Sequence, residues 1–188
     1  MKKKVGVIVG SLRKDSINRK VAQSMIDLNN ADLEMKMIEI GALQMYNPDT
    51  DDAAPTAEWS AFRENVKSMD AILFVTPEYN RSVPGVMKNA IDVGSRPYGK
   101  SAWAGKPAAV ASASPGAMGA FGANHHLRQS LVFLDMPAMQ QPEAYLGHAD
   151  NFFGPDGKLA NDSTKEFFSK FLQAFSAFVG RNAPTKNS

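Results

Sequence analysis

Three times along this chain a strand-like apolar run stops at a cluster of small and polar residues, and a helix-periodic stretch follows. The runs are residues 5–9 (VGVIV), 70–76 (DAILFVT) and 106–112 (KPAAVAS). Val5, Val7, Ile8 and Val9 are β-branched and nearly continuous, which suits a strand covered on both faces, as in a parallel sheet. After the first run, Ile17, Val21, Met25 and Leu28 recur at helical spacing. After the second, Pro84 stands in the first turn of a helix that carries Val86, Ala90, Ile91 and Val93, with Gly94 as its expected C′ residue. After the third, a helix over residues 123–134 presents Leu127, Leu131 and Leu134.

The intervening segments continue the rhythm. Residues 33–40 (LEMKMIEI) alternate apolar and charged side chains, a strand with one wetter face near a sheet edge. Residues 45–56 are a polar, proline-punctuated loop ending at Thr56, which caps a helix with the core stripe Trp59, Phe62, Val66 and Met69. A short fifth strand is expected near residues 137–139. The last helix starts at a cap on Asp162 or Ser163, buries Phe167, Phe168, Phe171, Leu172, Phe175, Phe178 and Val179, and closes at Gly180. Strands and helices that alternate without repeat or linker predict an α/β chain: a doubly wound, five-stranded parallel sheet with helices on both faces. A single domain over residues 1–181 is expected, with 182–188 as a polar, disordered tail.

Composition narrows the partners. Across 188 residues a formal charge of +2 gives no basic surplus for nucleic acid, and the absence of cysteine excludes disulfides and thiolate chemistry. Lys2, Lys3 and Lys4 resemble a signal-peptide n-region, but the apolar run behind them is too short for an h-region. No segment approaches membrane-spanning length, so the cytoplasm is the expected compartment.

Ligands of such sheets sit beyond the carboxyl ends of the strands, so the loops after strands one, three and four should share one site. The first holds Ser11, Arg13, Ser16 and Asn18 at the start of a helix, a place that favours a phosphate. Ser16 also suits a plain N-cap, and Ser11 a turn. Neither G-x-x-x-x-G-K-[ST] nor G-x-G-x-x-G is present, which favours one terminal phosphate over a pyrophosphate. The second loop offers the aromatic face of Tyr79, and the third, around Gly116, lets backbone approach a flat ligand. G-x-S-x-G and H-E-x-x-H are missing as well. His125 and His126 are adjacent, so on a helix they diverge and make poor joint metal ligands; both read as surface or interface residues, and no metal is expected.

Gly10-Ser11-Leu12-Arg13 with Ser16 and Asn18, then Thr76-Pro77-Glu78-Tyr79-Asn80, Ser82-Val83-Pro84-Gly85 and Lys88-Asn89-Ala90-Ile91-Asp92, resemble the NAD(P)H-dependent FMN reductase family, within it the bacterial chromate/quinone reductase branch. Ala104-Gly105-Lys106-Pro107 and His126-Leu127-Arg128-Gln129 extend the likeness over most of the chain. The resemblance implies a flavodoxin-like fold with strand order 2-1-3-4-5 and non-covalent FMN. By position, Ser11, Arg13, Ser16, Ile17 and Asn18 would hold the FMN phosphate; Pro77, Glu78, Tyr79 and Asn80 would border the ring; Ser114, Pro115 and Gly116 would meet its polar edge. It also implies NADH or NADPH as donor, ping-pong reduction of quinones, chromate, azo compounds or free flavin, and a homodimer or homotetramer. Gly122 and His125 depart from the branch, where an arginine and a tyrosine occur at a tetramer contact. No side chain is expected to act as acid or base, because FMN carries the chemistry. Asn80, Arg96 and Lys100, with Arg81, are candidates for meeting an anionic acceptor or the NADPH phosphate, Arg96 first among them; solvated surface charge is the equal alternative. A flavodoxin-like electron carrier and an FMN-binding regulatory module are the rival functions, and the near-neutral charge disfavours the carrier.

Overall fold

Alternation along the central strands decides the layers. The computed structural model describes residues 2–29 and 33–183. In it β1 (Lys3–Val9), β2 (Leu33–Met37), β3 (Ala71–Thr76), β4 (Ala108–Ala113) and β5 (Ala144–Leu146) form one parallel sheet in the order 2-1-3-4-5. Val5, Val7, Val9, Leu73, Val75, Ala109 and Ala111 face a layer built from α1 (Ile17–Asp27) and α6 (Asp162–Asn182). Ile8, Ile72, Phe74 and Val110 face the other layer, built from α3 (Ala57–Lys67), α4 (Gly85–Gly94) and α5 (Phe121–Phe133). Every residue of β3 and β4 is buried, as their unbroken apolar runs require. This is the doubly wound, flavodoxin-like arrangement. Among the described residues no helix is long and apolar enough to cross a membrane.

Several local expectations change. The fifth strand is at 144–146 rather than 137–139, where Ala138 makes only an isolated bridge to Ala108. Ala111 pairs with Ala144, so three steps along β4 (108 to 111) face six along the edge chain (138 to 144). The surplus residues lie between these two pairings, where Pro142 has no N–H for a ladder. The expected loop at 45–56 contains a short helix, α2 (Pro48–Ala53), capped by Asn47 and opened by Pro48. Asp49 and Asp51 lie in its first turn, where the helix dipole favours them. Six residues are too few to show an apolar period, so only the cap signal was there to read.

Gly94 is the last residue of α4 and not the residue beyond it. It is glycine for packing: an added Cβ would fall 2.5 Å from the Trp103 indole, whose Nε1 donates to the Ile91 carbonyl at 2.9 Å. Pro84, expected inside the first turn, is the N-cap of α4. The cap of α6 is Asn161, whose side-chain oxygen accepts from the Thr164 N–H at 3.0 Å; Ser163 Oγ donates to the same oxygen. The helix runs on through Gly180, held by buried Phe175 and Val179, to Asn182, whose side chain donates to the Phe178 carbonyl. Of the expected tail, residues 184–188 lie outside the described residues.

Candidate functional site at the strand ends

Because β1, β3 and β4 are neighbours and parallel, the chain leaves all three at one edge of the sheet. The first loop starts where Gly10 N–H donates to the Val75 carbonyl at 2.9 Å; an added Cβ there would lie 3.1 Å from Met87. Ser16 is the N-cap of α1: its Oγ accepts from Arg19 N–H at 3.2 Å, which leaves its own O–H free to donate. Ser11 is buried and, among the described residues, its hydroxyl has no hydrogen-bond partner. Two arginines are in reach of this turn. Arg19 is engaged by Glu39, whose carboxyl this hydrogen bond holds below the usual carboxylate range although burial opposes it. Arg13 is exposed and, among the described residues, has no protein partner. The uncommitted guanidinium of the first loop is therefore Arg13. Ile17, the first residue of α1, is half-buried against the core.

Asn18 differs from the expectation of a simple phosphate ligand. Its Nδ2 donates to the Ala113 carbonyl at 3.0 Å and so ties the first loop to the end of β4. Only the nitrogen can face a carbonyl, which leaves the buried Oδ1 as an acceptor with no donor from the protein. Such an atom needs a hydroxyl or N–H from elsewhere.

The second loop carries Pro77, Glu78, Tyr79 and Asn80. Tyr79 and Ser82 exchange backbone hydrogen bonds at 3.0 and 2.9 Å, and Asn80 and Arg81 between them both have positive φ (50° and 61°). This is a two-residue hairpin turn with left-handed central residues. Tyr79 is 53% exposed at its base, an aromatic ring unclaimed by the core. In the third loop Ser114 N–H donates to Leu146 and its hydroxyl to Gly116 O. Pro115 and Gly116 are exposed, and an added Cβ at Gly116 would meet only Ser114 Oγ, at 3.8 Å. The protein's own packing does not require that glycine.

A buried polar chain steadies this third loop, and sequence reasoning missed it. Arg128 donates to Asn124 Oδ1 at 2.8 Å, Asn124 Nδ2 to Ser112 Oγ at 3.1 Å, and Ser112 Oγ to Gly119 O at 2.7 Å. Gly119, at φ 58°, lets that loop lie against β5, where a Cβ would fall 2.5 Å from the Tyr145 carbonyl carbon. The available signal was Asn124, a polar residue in helical register with Leu127 and Leu131.

Arg96 and Lys100 are not brought to the same edge. Eleven residues separate Arg96 from Gly85, which at helical rise is about 16 Å down α4. Arg96 lines the far end of a 760 Å³ groove between α4 and α5 that begins at Ser82 and Val83 and ends near Phe133. Lys100 is exposed outside it. Arg81 is the cation in the strand-end cluster of the second loop. His126 Nδ1 and Ser82 Oγ are hydrogen-bonded at 3.0 Å, and His125 Nε2 and the Tyr145 hydroxyl likewise at 3.0 Å; both histidines are exposed, as expected. Among the described residues no group of three or more His, Cys, Asp or Glu could hold a metal ion.

Residues 3–151 match the model of a family described as NADPH-dependent FMN reductase. The chain belongs to this family. It is 60% identical over 178 residues to a quinone reductase of Pseudomonas putida, covering 95% of each chain. It is 40% identical over 176 residues to a 2-hydroxy-1,4-benzoquinone reductase of Burkholderia sp, covering 94% of this chain and 96% of that one. Among solved structures it superposes on FerB, a flavoenzyme NAD(P)H:(acceptor) oxidoreductase from Paracoccus denitrificans, with a TM-score of 0.91 and 39% identity over 97% of this chain and all of the other. The protein is thus an oxidoreductase that uses FMN with NAD(P)H as electron donor. The residues at the strand ends fit that cofactor on three counts: an unpartnered guanidinium at a helix N-terminus, an orphaned buried acceptor in Asn18, and open space beside Gly116.

Proposed function

We propose that this FMN reductase passes electrons from NAD(P)H to quinones by a ping-pong cycle in the cytoplasm, with chromate, azo compounds and free flavin as further acceptors. FMN, when bound, supplies the hydride and electron chemistry. The chain's own residues bind, orient and shield. Ser11, Arg13 and Ser16 hold the phosphate at the N-terminus of α1, with Ile17 closing the turn. Asn18 accepts a ribityl hydroxyl with its free Oδ1. Pro77, Tyr79 and Asn80 form the wall beside the ring, with Glu78 behind them, and Ser114, Pro115 and Gly116 present backbone to its polar edge. The observation that carries the reading is Arg13: the one uncommitted arginine of the first loop sits where a phosphate gains from both its charge and the helix end. No acid–base pair is invoked, and none is needed where the cofactor does the transfer.

Steady-state NAD(P)H oxidation with benzoquinone tests this. Parallel double-reciprocal lines are expected; intersecting lines would remove the ping-pong cycle, and no turnover with any quinone would remove the acceptor class.

The placement of the cations gives a sharper expectation. Arg81→Ala raises the KM for chromate by about three- to tenfold and leaves that for a neutral quinone within about twofold, the scale of one exposed charge contact. Arg96→Ala moves neither by more than about twofold when its only effect is through its own chain. Equal effects of Arg81→Ala on both acceptors would show that it does not attract the anion.

The α4–α5 groove supports a homodimer. Val132 and Phe133 on α5 are 79% and 80% exposed beside it, a large apolar pair for a free surface. Phe133→Glu should convert the dimer to monomer in sedimentation velocity at micromolar protein. An unchanged dimer would move the interface elsewhere.

A further inference from the structure

We infer that Glu78 is a positioning residue whose carboxylate clamps the flavin-side turn to the N-terminus of α5, instead of itself facing the ring. Its Oε2 accepts the Ala123 backbone N–H at 2.9 Å, and its Oε1 lies 3.3 Å from Arg81 Nη1. The side chain is 12% exposed, so the contact is sheltered from solvent. The approach is close: a Cβ at Gly122 would fall 2.9 Å from Oε2 and 3.0 Å from the Arg81 carbonyl, so a larger residue there would have to displace one of them.

The turn needs such support. Asn80 and Arg81 are both left-handed, and for an arginine that conformation is strained. It persists only where the surroundings over-determine it. Three ties do so. Tyr79 and Ser82 pair across the turn, Ser82 Oγ bonds His126 on α5, and Glu78 takes the first-turn N–H of the same helix while holding the Arg81 guanidinium. A carboxylate at a helix N-terminus also gains from the dipole. Glu78 therefore sets where Asn80 stands by acting through α5, and the same helix carries Asn124 and Arg128, which steady the third loop. One helix aligns two walls of the site.

This rests on the FMN-site reading for its functional consequence but not for the clamp. The test compares wild type, Glu78→Ala and Glu78→Gln by amide hydrogen exchange without flavin, and by FMN titration and visible circular dichroism of the flavin-loaded protein. Glu78→Ala should speed exchange at Arg81, Ser82 and Ala123 by about tenfold or more, weaken FMN by about tenfold, and change the visible dichroism. Glu78→Gln keeps a carbonyl oxygen for Ala123 and should restore exchange and affinity to within about threefold of wild type. Unchanged exchange in Glu78→Ala, or a glutamine variant as impaired as the alanine one, overturns the clamp. If the wild-type protein takes up no FMN, the site reading fails, while the exchange arm still decides the clamp.

Discussion

Arg13→Ala combined with Ser16→Gly weakens FMN binding by about a hundredfold or more, since each charge-assisted hydrogen bond to a phosphate is worth about 1.5–3 kcal/mol. Glycine is chosen at position 16 for a physical reason. Ser16 caps α1 through its Oγ, and alanine there would remove the cap together with the ligand, at about 1 kcal/mol, whereas glycine costs only a few tenths. Arg13 is exposed and has no partner among the described residues, so its loss leaves the folded state almost unchanged. Binding and stability are thereby separated: FMN affinity falls, while the melting temperature of the flavin-free protein stays within about 3 °C. Fluorescence titration of FMN alongside a thermal melt reads both. Full affinity in the double variant would remove the phosphate assignment and leave the fold and family untouched.

Arg63→Ala lowers stability by about 3–5 kcal/mol, the cost of leaving one member of a buried ion pair without its partner. Arg63 donates to both carboxylate oxygens of Asp51 at 2.7 Å and, through Nε, to the Val93 carbonyl at 2.9 Å. Both side chains are buried, so α2, α3 and the end of α4 meet at one bidentate contact. The melting temperature should drop by about 10 °C, with FMN affinity preserved because the pair lies away from the strand-end loops. The pair also sets an acid limit. The Arg63 hydrogen bonds hold the Asp51 carboxyl below the usual range, against the opposing effect of burial, with the Arg63 charge and the Tyr46 hydroxyl adding to them. A carboxyl depressed in the folded state contributes fully above its unfolded pKa, about pH 4, and the contribution fades as pH falls through the folded value. Wild type should therefore lose stability below about pH 4 more steeply than Asp51→Asn, a difference that urea melts across that range would show. Parallel pH profiles would mean that the pair does not titrate on unfolding.

What could be read from the sequence follows from how local each signal is. The central strands were legible because burial on both faces leaves an unbroken apolar run, and the Thr56 cap and Trp59 stripe because caps and helical periods are short-range patterns. The fifth strand was misplaced because its register depends on a six-against-three mismatch with β4, which no window of sequence contains. Gly94 looks like a helix terminator, but its reason is an indole nine residues away. At the site, the first loop could be assembled from sequence because its donors are consecutive. The roles within it could not. Nothing in the motif shows that Asn18 spends its nitrogen on Ala113, that Glu78 turns toward α5, or that Arg96 shares a groove with Ser82 from beyond the other end of α4. Each depends on what folding brings alongside.

The central claim is that the three strand-end loops bind FMN and that NAD(P)H reduces it there. An absorbance spectrum of the purified protein, loaded with FMN and freed of excess by gel filtration, then mixed anaerobically with NADH or NADPH, tests it most directly. A yellow protein is expected, whose oxidised flavin bands bleach on donor addition and return when a quinone is admitted. A protein that stays colourless after loading, or one that keeps its oxidised spectrum with both donors, would contradict it.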